Sequence, residues 1–214
     1  HLSALGINNA VDSVYARSKL EGENEILKNF PLATILRPSI VYSVEDNFTT
    51  NFMTLLSRLP VFPIYYGGNT RFAPIACSDL TDTMHHVISN NIYSKIIECV
   101  GPEIITFKEI LQRLLNLIGK KKFLLPFPLK LAELSANFFE ILPKPLLTRD
   151  QLRLLKYDNI PSGKYKTNSD IGIPSKRYFN DEVKKYCYMW RENGQFSTER
   201  YTYNNDSEKK TNQN

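Results

Sequence analysis

Between Val14 and Asn29 the apolar residues Ala16, Leu20 and Leu27, with Phe30 just beyond, recur at helical spacing, while Glu21, Glu23, Glu25 and Lys28 fall on the polar side. The pattern predicts a helix over this stretch, with Asp12 or Ser13 as its cap. Ahead of it, His1 to Ser3 reads as the end of a strand, followed by the loop "ALGINNAVDS". Behind it lies "LATILRPSIVY", a compact apolar run interrupted by Arg37 and Pro38. Such a run predicts a strand buried on both faces, as in parallel sheets. A helix followed by a strand of this kind predicts an α/β fold.

Farther along, residues 47–59 (NFTTNFMTLLSRL) predict a helix, and "PVFPIYYGGNTRFAPI" a loop with short extended pieces. Ser78 is the expected cap of a helix in "DLTDTMHHVISN" that ends near Asn90. "KIIECVGPEIITF" contains another strand, and Thr106 caps the amphipathic helix "FKEILQRLLNLIG", which Gly119 stops. Three lysines, Lys120 to Lys122, then lead into helical segments punctuated by prolines, through "LLTRDQLRLLKYDNI". After about Tyr201 the chain is polar without apolar periodicity, so residues 196–214 are expected to form a disordered tail.

Composition narrows the function classes. At 214 residues with 42% hydrophobic and 12% aromatic content, the chain can bury a real core. Its formal net charge of +5 is mild, and Lys and Arg are interspersed with Asp and Glu. That balance suits an anionic cofactor or membrane surface, but the absence of a long basic tract argues against nucleic acid. The three cysteines, Cys77, Cys99 and Cys187, lie far apart with no C-x-x-C, which points to reduced thiols of a cytosolic compartment rather than a disulfide framework or a zinc site. His85 and His86 are adjacent, so on a helix they point about 100° apart, and no metal site is expected from them. No apolar run approaches the length of a transmembrane segment.

Tyr15 and Lys19 are the residues that carry chemistry. Four apart at the start of a helix, they share one face about 6 Å from each other. A phenol with an ordinary pKa near 10 acts as a general acid or base only if drawn toward neutrality, and an ammonium one turn along favours its phenolate. Lys19 can also hold a ribose hydroxyl of a nicotinamide nucleotide, and Ser3, at the preceding strand end, can hydrogen-bond the same substrate oxygen as Tyr15. By itself Y-x-x-x-K is also what an exposed helical pair looks like.

The surroundings change that. A strand-end Ser3, then Tyr15-x-x-x-Lys19-x-x-x-Glu23, then the strand "LRPSIVY", then the turn "PIACSDL" occur in the order found in the short-chain dehydrogenase/reductase superfamily, in its extended or atypical branch, which this chain resembles. Within it, "VGPEIITFKEILQRLLNLIGKKKFLLPFPLKLAEL" and "LLTRDQLRLLKYDNI" look like the family of NAD(P)H-binding accessory subunits of respiratory complex I (NADH:ubiquinone oxidoreductase) and its bacterial relatives. The resemblance spans roughly residues 1–175.

It implies a Rossmann-type doubly wound parallel sheet, of which residues 1–100 would be the C-terminal part, with a mixed, mainly helical C-terminal lobe over residues 101–195. It implies NADP or NAD as cofactor, with Ser3, Tyr15 and Lys19 as the catalytic set. The backbone of the turn Pro38-Ser39-Ile40 would meet the nicotinamide, beside Tyr15 and Lys19. The family's Gly-rich turn, which receives the pyrophosphate, is not found here, so about 100 further residues are expected upstream in a whole member. Arg71 stands where extended relatives place an arginine on a substrate phosphate, although a solvated loop arginine is the plainer reading. Residues 120–144 suit either a partner-docking or membrane-surface element or a lobe packed on the sheet.

Three functional expectations follow from the resemblance. The first is an NAD(P)-binding accessory or assembly-stabilising component of respiratory complex I. It would be cytoplasmic, or peripheral on the inner face of the cytoplasmic or mitochondrial inner membrane. The second is an active oxidoreductase or epimerase, acting on a quinone precursor or a sugar-like alcohol. The third is an inactive fragment of such an enzyme.

Overall fold

The computed structural model describes residues 1–126, 148–192 and 194–195. The expected disordered tail and most of the proline-punctuated stretch lie outside these residues. At the centre is a small parallel sheet. Strand β1 (Ile35–Pro38) pairs in parallel with β6 (Ile96–Cys99), and β6 pairs in parallel with β9 (Lys166–Thr167). On the other side of β1 the first residues continue the ladder: Ser3 N–H donates to Leu36 O at 2.7 Å, and Leu36 N–H to His1 O at 2.8 Å. All four residues of β1 are buried, as an apolar run without alternation requires. The mixed α/β fold with parallel strands is therefore present.

The "LATILRPSIVY" run is two strands rather than one. Ser39 N–H closes the ladder to β6 by donating to Cys99 O at 2.9 Å, Pro38 has no N–H to offer the first residues on the other side, and the chain then changes partner. Val41–Tyr42, strand β2, pairs in parallel with β5 (Ile75–Ala76). From β5 the chain runs straight into helix α3 (Cys77–Ser89), whose cap is Ala76 without a side-chain hydrogen bond. Ser78 therefore lies inside the helix and does not cap it. Buried Asp79 in the first turn instead accepts from the backbone of Lys176 and Arg177 and pairs with the Arg177 guanidinium.

Helix α1 (Val14–Asn29) is capped by Ser13, whose Oγ accepts from Ala16 N–H at 3.2 Å. Its inward face differs from the expected one at two places. Phe30 sits past the helix end with an extended φ of −133° and is exposed. Glu23 is only 2% exposed, because Arg37 of β1 reaches it through two hydrogen bonds of 2.8 and 2.6 Å. Arg37 in turn lies 4.9 Å from the Tyr165 ring centroid. This buried pair locks α1 to the sheet.

A larger core lies beyond. Helix α2 (Thr49–Arg58) packs on α4 (Phe107–Ile118) and on the turn Cys187–Trp190, around Phe52, Phe62, Phe72, Phe107, Phe179 and Trp190. Ring pairs such as Phe52–Phe107, at 5.3 Å and 68°, meet edge to face. This cluster joins side chains from both sides of residue 100. Thr106 and Glu109 close a capping box at the start of α4, and Gly119 ends it with a left-handed φ of 69°. All three cysteines are free thiols, and burial pushes Cys99 up to about 12. No described helix is long and apolar enough to cross a membrane.

Candidate functional site

Parallel strands deliver their carboxyl ends, and the loops that follow them, to one edge of the sheet. Here the loop after Ser3 and the turn after Pro38 leave side by side, tied by Leu5 N–H to Pro38 O at 2.8 Å. Between them opens a cleft of about 480 Å³, within the size range of small-molecule sites. Ser3, Tyr15, Lys19, Pro38, Ser39 and Ile40 all line it. Arg71 does not. It is held by Asp158, which accepts from Arg71 N–H at 2.8 Å, from Nε at 2.9 Å and from an Nη at 2.6 Å. His85, exposed, and His86, half-buried, lie near the end of α3, beside Ser89 and Asn90.

Each of the three central side chains has capacity to spare. The Ser3 Oγ is buried with no hydrogen-bond partner among the described residues, an arrangement that costs free energy unless a ligand completes it. Lys19 Nζ lies 3.4 Å from Leu2 O and 5.9 Å from the centroid of the Tyr15 ring. Tyr15 keeps 45% of its surface exposed, yet burial of the remainder raises its phenol above the ordinary 10.0. The phenol is thus protonated at neutral pH in this state. A hydroxyl and a phenol, both able to donate, together with an ammonium suit a carbonyl or alcohol oxygen and a neighbouring diol.

The segment Thr148–Asn159 completes the site from far along the chain. Helix α5 (Arg149–Leu154) starts with a capping box between Thr148 and Gln151. Its Asp150 accepts from Val14 N–H at 2.8 Å, Tyr15 N–H at 3.0 Å and Ser13 Oγ at 2.8 Å. One carboxylate thereby satisfies two of the unpaired donors at the start of α1 and sits at its positive end. Burial alone would raise the Asp150 carboxyl. The bonds from Tyr15, Val14 and Ser13 outweigh burial and hold it below 3.8. Asn159 accepts from Ser39 Oγ at 2.6 Å and donates to Leu5 O at 2.8 Å, so it ties the two loops of the cleft together. Gly6 makes that approach possible: its φ is +77°, and a Cβ there would lie 3.3 Å from Asp158 O. Asp150 and Asn159 were not singled out from the sequence. The T-x-x-Q box at Thr148 signals a helix start, but nothing local tells which helix Asp150 will cap.

Much of the remaining lining is apolar: Phe48 ahead of α2, Phe52 and Leu55 within it, Phe72, and Leu154 and Leu155 at the end of α5. Neutral Asn47, Asn51 and Gln151 lie at its margin.

The family described as "RmlD substrate binding domain" matches residues 10–122, just over half the chain. Mitochondrial NADH dehydrogenase [ubiquinone] 1 alpha subcomplex subunit 9 is similar in two organisms. The Arabidopsis thaliana protein is 26% identical over 172 residues, covering 75% of this chain and 43% of the relative. The Mus musculus protein is 23% identical over 175 residues, covering 81% and 46%. The chain thus spans less than half the length of these relatives. Among solved structures, dTDP-glucose 4,6-dehydratase from Bacillus anthracis, in complex with NAD, superposes with a TM-score of 0.57 at 14% identity, over 83% of this chain and 51% of that one. At that identity the likeness establishes the fold, a Rossmann-type α/β architecture.

Proposed function

This chain belongs to the RmlD substrate binding domain family, and we infer from that membership and from its cleft that it is the nicotinamide-side portion of an NAD(P)-binding, short-chain-dehydrogenase-like protein. The observation that carries this reading is the meeting of Ser3, Tyr15, Lys19 and the Pro38–Ile40 turn in one cleft at the carboxyl ends of parallel strands. The solved relative carrying NAD supports the choice of cofactor class. In this reading Lys19 grips a ribose hydroxyl, the Pro38-Ser39-Ile40 backbone flanks the nicotinamide, and the unpaired Ser3 Oγ takes a substrate oxygen. When bound, the nicotinamide ring supplies or accepts a hydride. Tyr15 would hold the proton that moves with it, and the Lys19 ammonium, 5.9 Å from the centre of its ring, favours the phenolate against the burial that opposes it.

The wider role we propose is that of an accessory component of respiratory NADH:ubiquinone oxidoreductase, peripheral on the inner membrane. Its support is the similarity to complex I subunits in a plant and a mammal, which covers more of the chain than the family match does. The second reading is an oxidoreductase or epimerase, favoured by one observation: the Ser3, Tyr15 and Lys19 side chains all line the cleft with hydrogen-bonding capacity to spare.

One substitution separates the two. Tyr15→Phe keeps the ring and removes the proton. A general acid or base contributes about 10²–10⁴-fold in rate, so an enzyme loses nearly all turnover. An accessory subunit tolerates the change. With Tyr15→Phe placed at the protein's own locus, normal complex assembly and NADH oxidation, with the variant co-purifying with the complex, support the accessory role. Failure of the wild-type protein to co-purify, with a small-molecule precursor accumulating in the variant, gives the enzyme reading instead.

A further inference from the structure

We propose that the cleft takes an apolar ring-bearing or short-chain molecule with a single carbonyl or hydroxyl, and no phosphate. The inference rests on the reading of Ser3, Tyr15 and Lys19 as the polar wall of the site. It adds the class of compound that shares the cleft with the cofactor.

The opposite property of the lining carries it. Phe48, Phe52, Leu55, Phe72, Leu154 and Leu155 present apolar side chains to the cleft, and all but Leu154 belong to or pack against one core cluster. Phe48 stacks edge-on against Phe52 at 4.9 Å and tilts against Phe72 at 6.4 Å. Rings that already meet edge to face accept another flat ring in the same way. A phosphate has no corresponding place. Among the described residues lining the cleft, the charged side chains are Lys19 and Asp158. Lys19 is the one assigned to the cofactor ribose. Arg71, the cation that a nucleotide sugar would call on, is turned into three hydrogen bonds with Asp158. Two phosphates set against this apolar wall would give up part of their hydration with no cation on that side of the cleft in exchange, which is unfavourable. An apolar body loses nothing by the same transfer and gains from it. Its one oxygen meets the unpaired Ser3 Oγ, which lies on the polar wall with Tyr15. The volume, about 480 Å³, accommodates a fused bicyclic ring.

The test uses three probes in saturation-transfer NMR and calorimetry: 2-acetylnaphthalene, UDP-glucose and NADH. The expected result is transfer to the naphthyl protons and none to UDP-glucose. Phe48→Asp, which puts a carboxylate into the apolar wall, should weaken the ketone about tenfold or more. Since Phe48 belongs to an aromatic cluster, Asn51→Asp on the exposed side of α2 serves as a second variant and should weaken it about threefold. UDP-glucose displacing the ketone, no ketone binding, or ketone binding that neither folded variant alters would each overturn the proposal. The NADH arm keeps the two readings apart. Ketone binding without NADH binding sinks the cofactor assignment and leaves this inference standing, whereas NADH binding without ketone binding does the reverse.

Discussion

The polar wall of the cleft comes from two short pieces of chain, residues 3–19 and 38–40, whereas the apolar wall and its rim are gathered from residues 47–72 and 151–159. The first is organised by a single helix and the two strand ends beside it. Tyr15 and Lys19 keep their spacing wherever α1 goes, because helical geometry fixes it. The second exists only when remote segments dock. Yet the first depends on the second. Helix α1 begins on donors satisfied by Asp150, some 135 residues away, and the turn at Ser39 is held by Asn159. A local motif marks where chemistry sits; distant contacts decide how rigidly it is held.

The largest effect should come from breaking the anchor that holds α1 to the sheet. Glu23→Ala leaves Arg37 charged and buried without its carboxylate, and should cost about 3–5 kcal/mol in urea denaturation. Replacing both residues by apolar ones, Glu23→Leu with Arg37→Met, should recover most of that loss. A single-variant cost under about 1 kcal/mol would mean that the pair is not the anchor.

Next is the remote cap. Asp150→Ala removes three hydrogen bonds from the start of α1 and should cost about 2–3 kcal/mol. The pH dependence has a definite sign. The folded carboxyl titrates below 3.8, so its stabilisation is complete above the unfolded value and is lost as pH falls through the folded one. The gap between wild type and variant should therefore be constant from neutral pH down to the ordinary carboxylate range, then close in acid. A gap that widens in acid contradicts the assignment.

The local cap of α4 provides the contrast. Thr106→Ala breaks a capping box closed within four residues and should cost about 1 kcal/mol, with no effect on any ligand of the cleft. If Thr106→Ala proves as costly as Asp150→Ala, the remote cap has no special weight.

These contrasts match what could be read from the sequence. The span of α1, the Thr106 cap and the Gly119 stop follow from local spacing and residue type, and the structure has them where expected. The α/β class follows from one doubly buried strand behind a helix. Periodicity places Glu23 on the solvent face because it sees a charge, not the Arg37 that waits for it on the next element, β1. Ser78 looked like a cap, but strand β5 leads directly into α3. Arg71 was read from its place in the family's order, and the structure gives it to Asp158, which no short-range pattern could pair with it. Asp150 and Asn159 lie in the segment "LLTRDQLRLLKYDNI", but their partners are set by topology.

The central claim is that Lys19, on the polar wall, holds a nicotinamide nucleotide. The most direct measurement is an NADH titration followed by saturation-transfer NMR, comparing wild type with Lys19→Ala. Loss of one charged hydrogen bond corresponds to about 1–3 kcal/mol, so affinity should fall by roughly tenfold to a hundredfold, with the ribose protons losing saturation most. Equal NADH affinity in both proteins, or saturation confined to the adenine, would contradict the account.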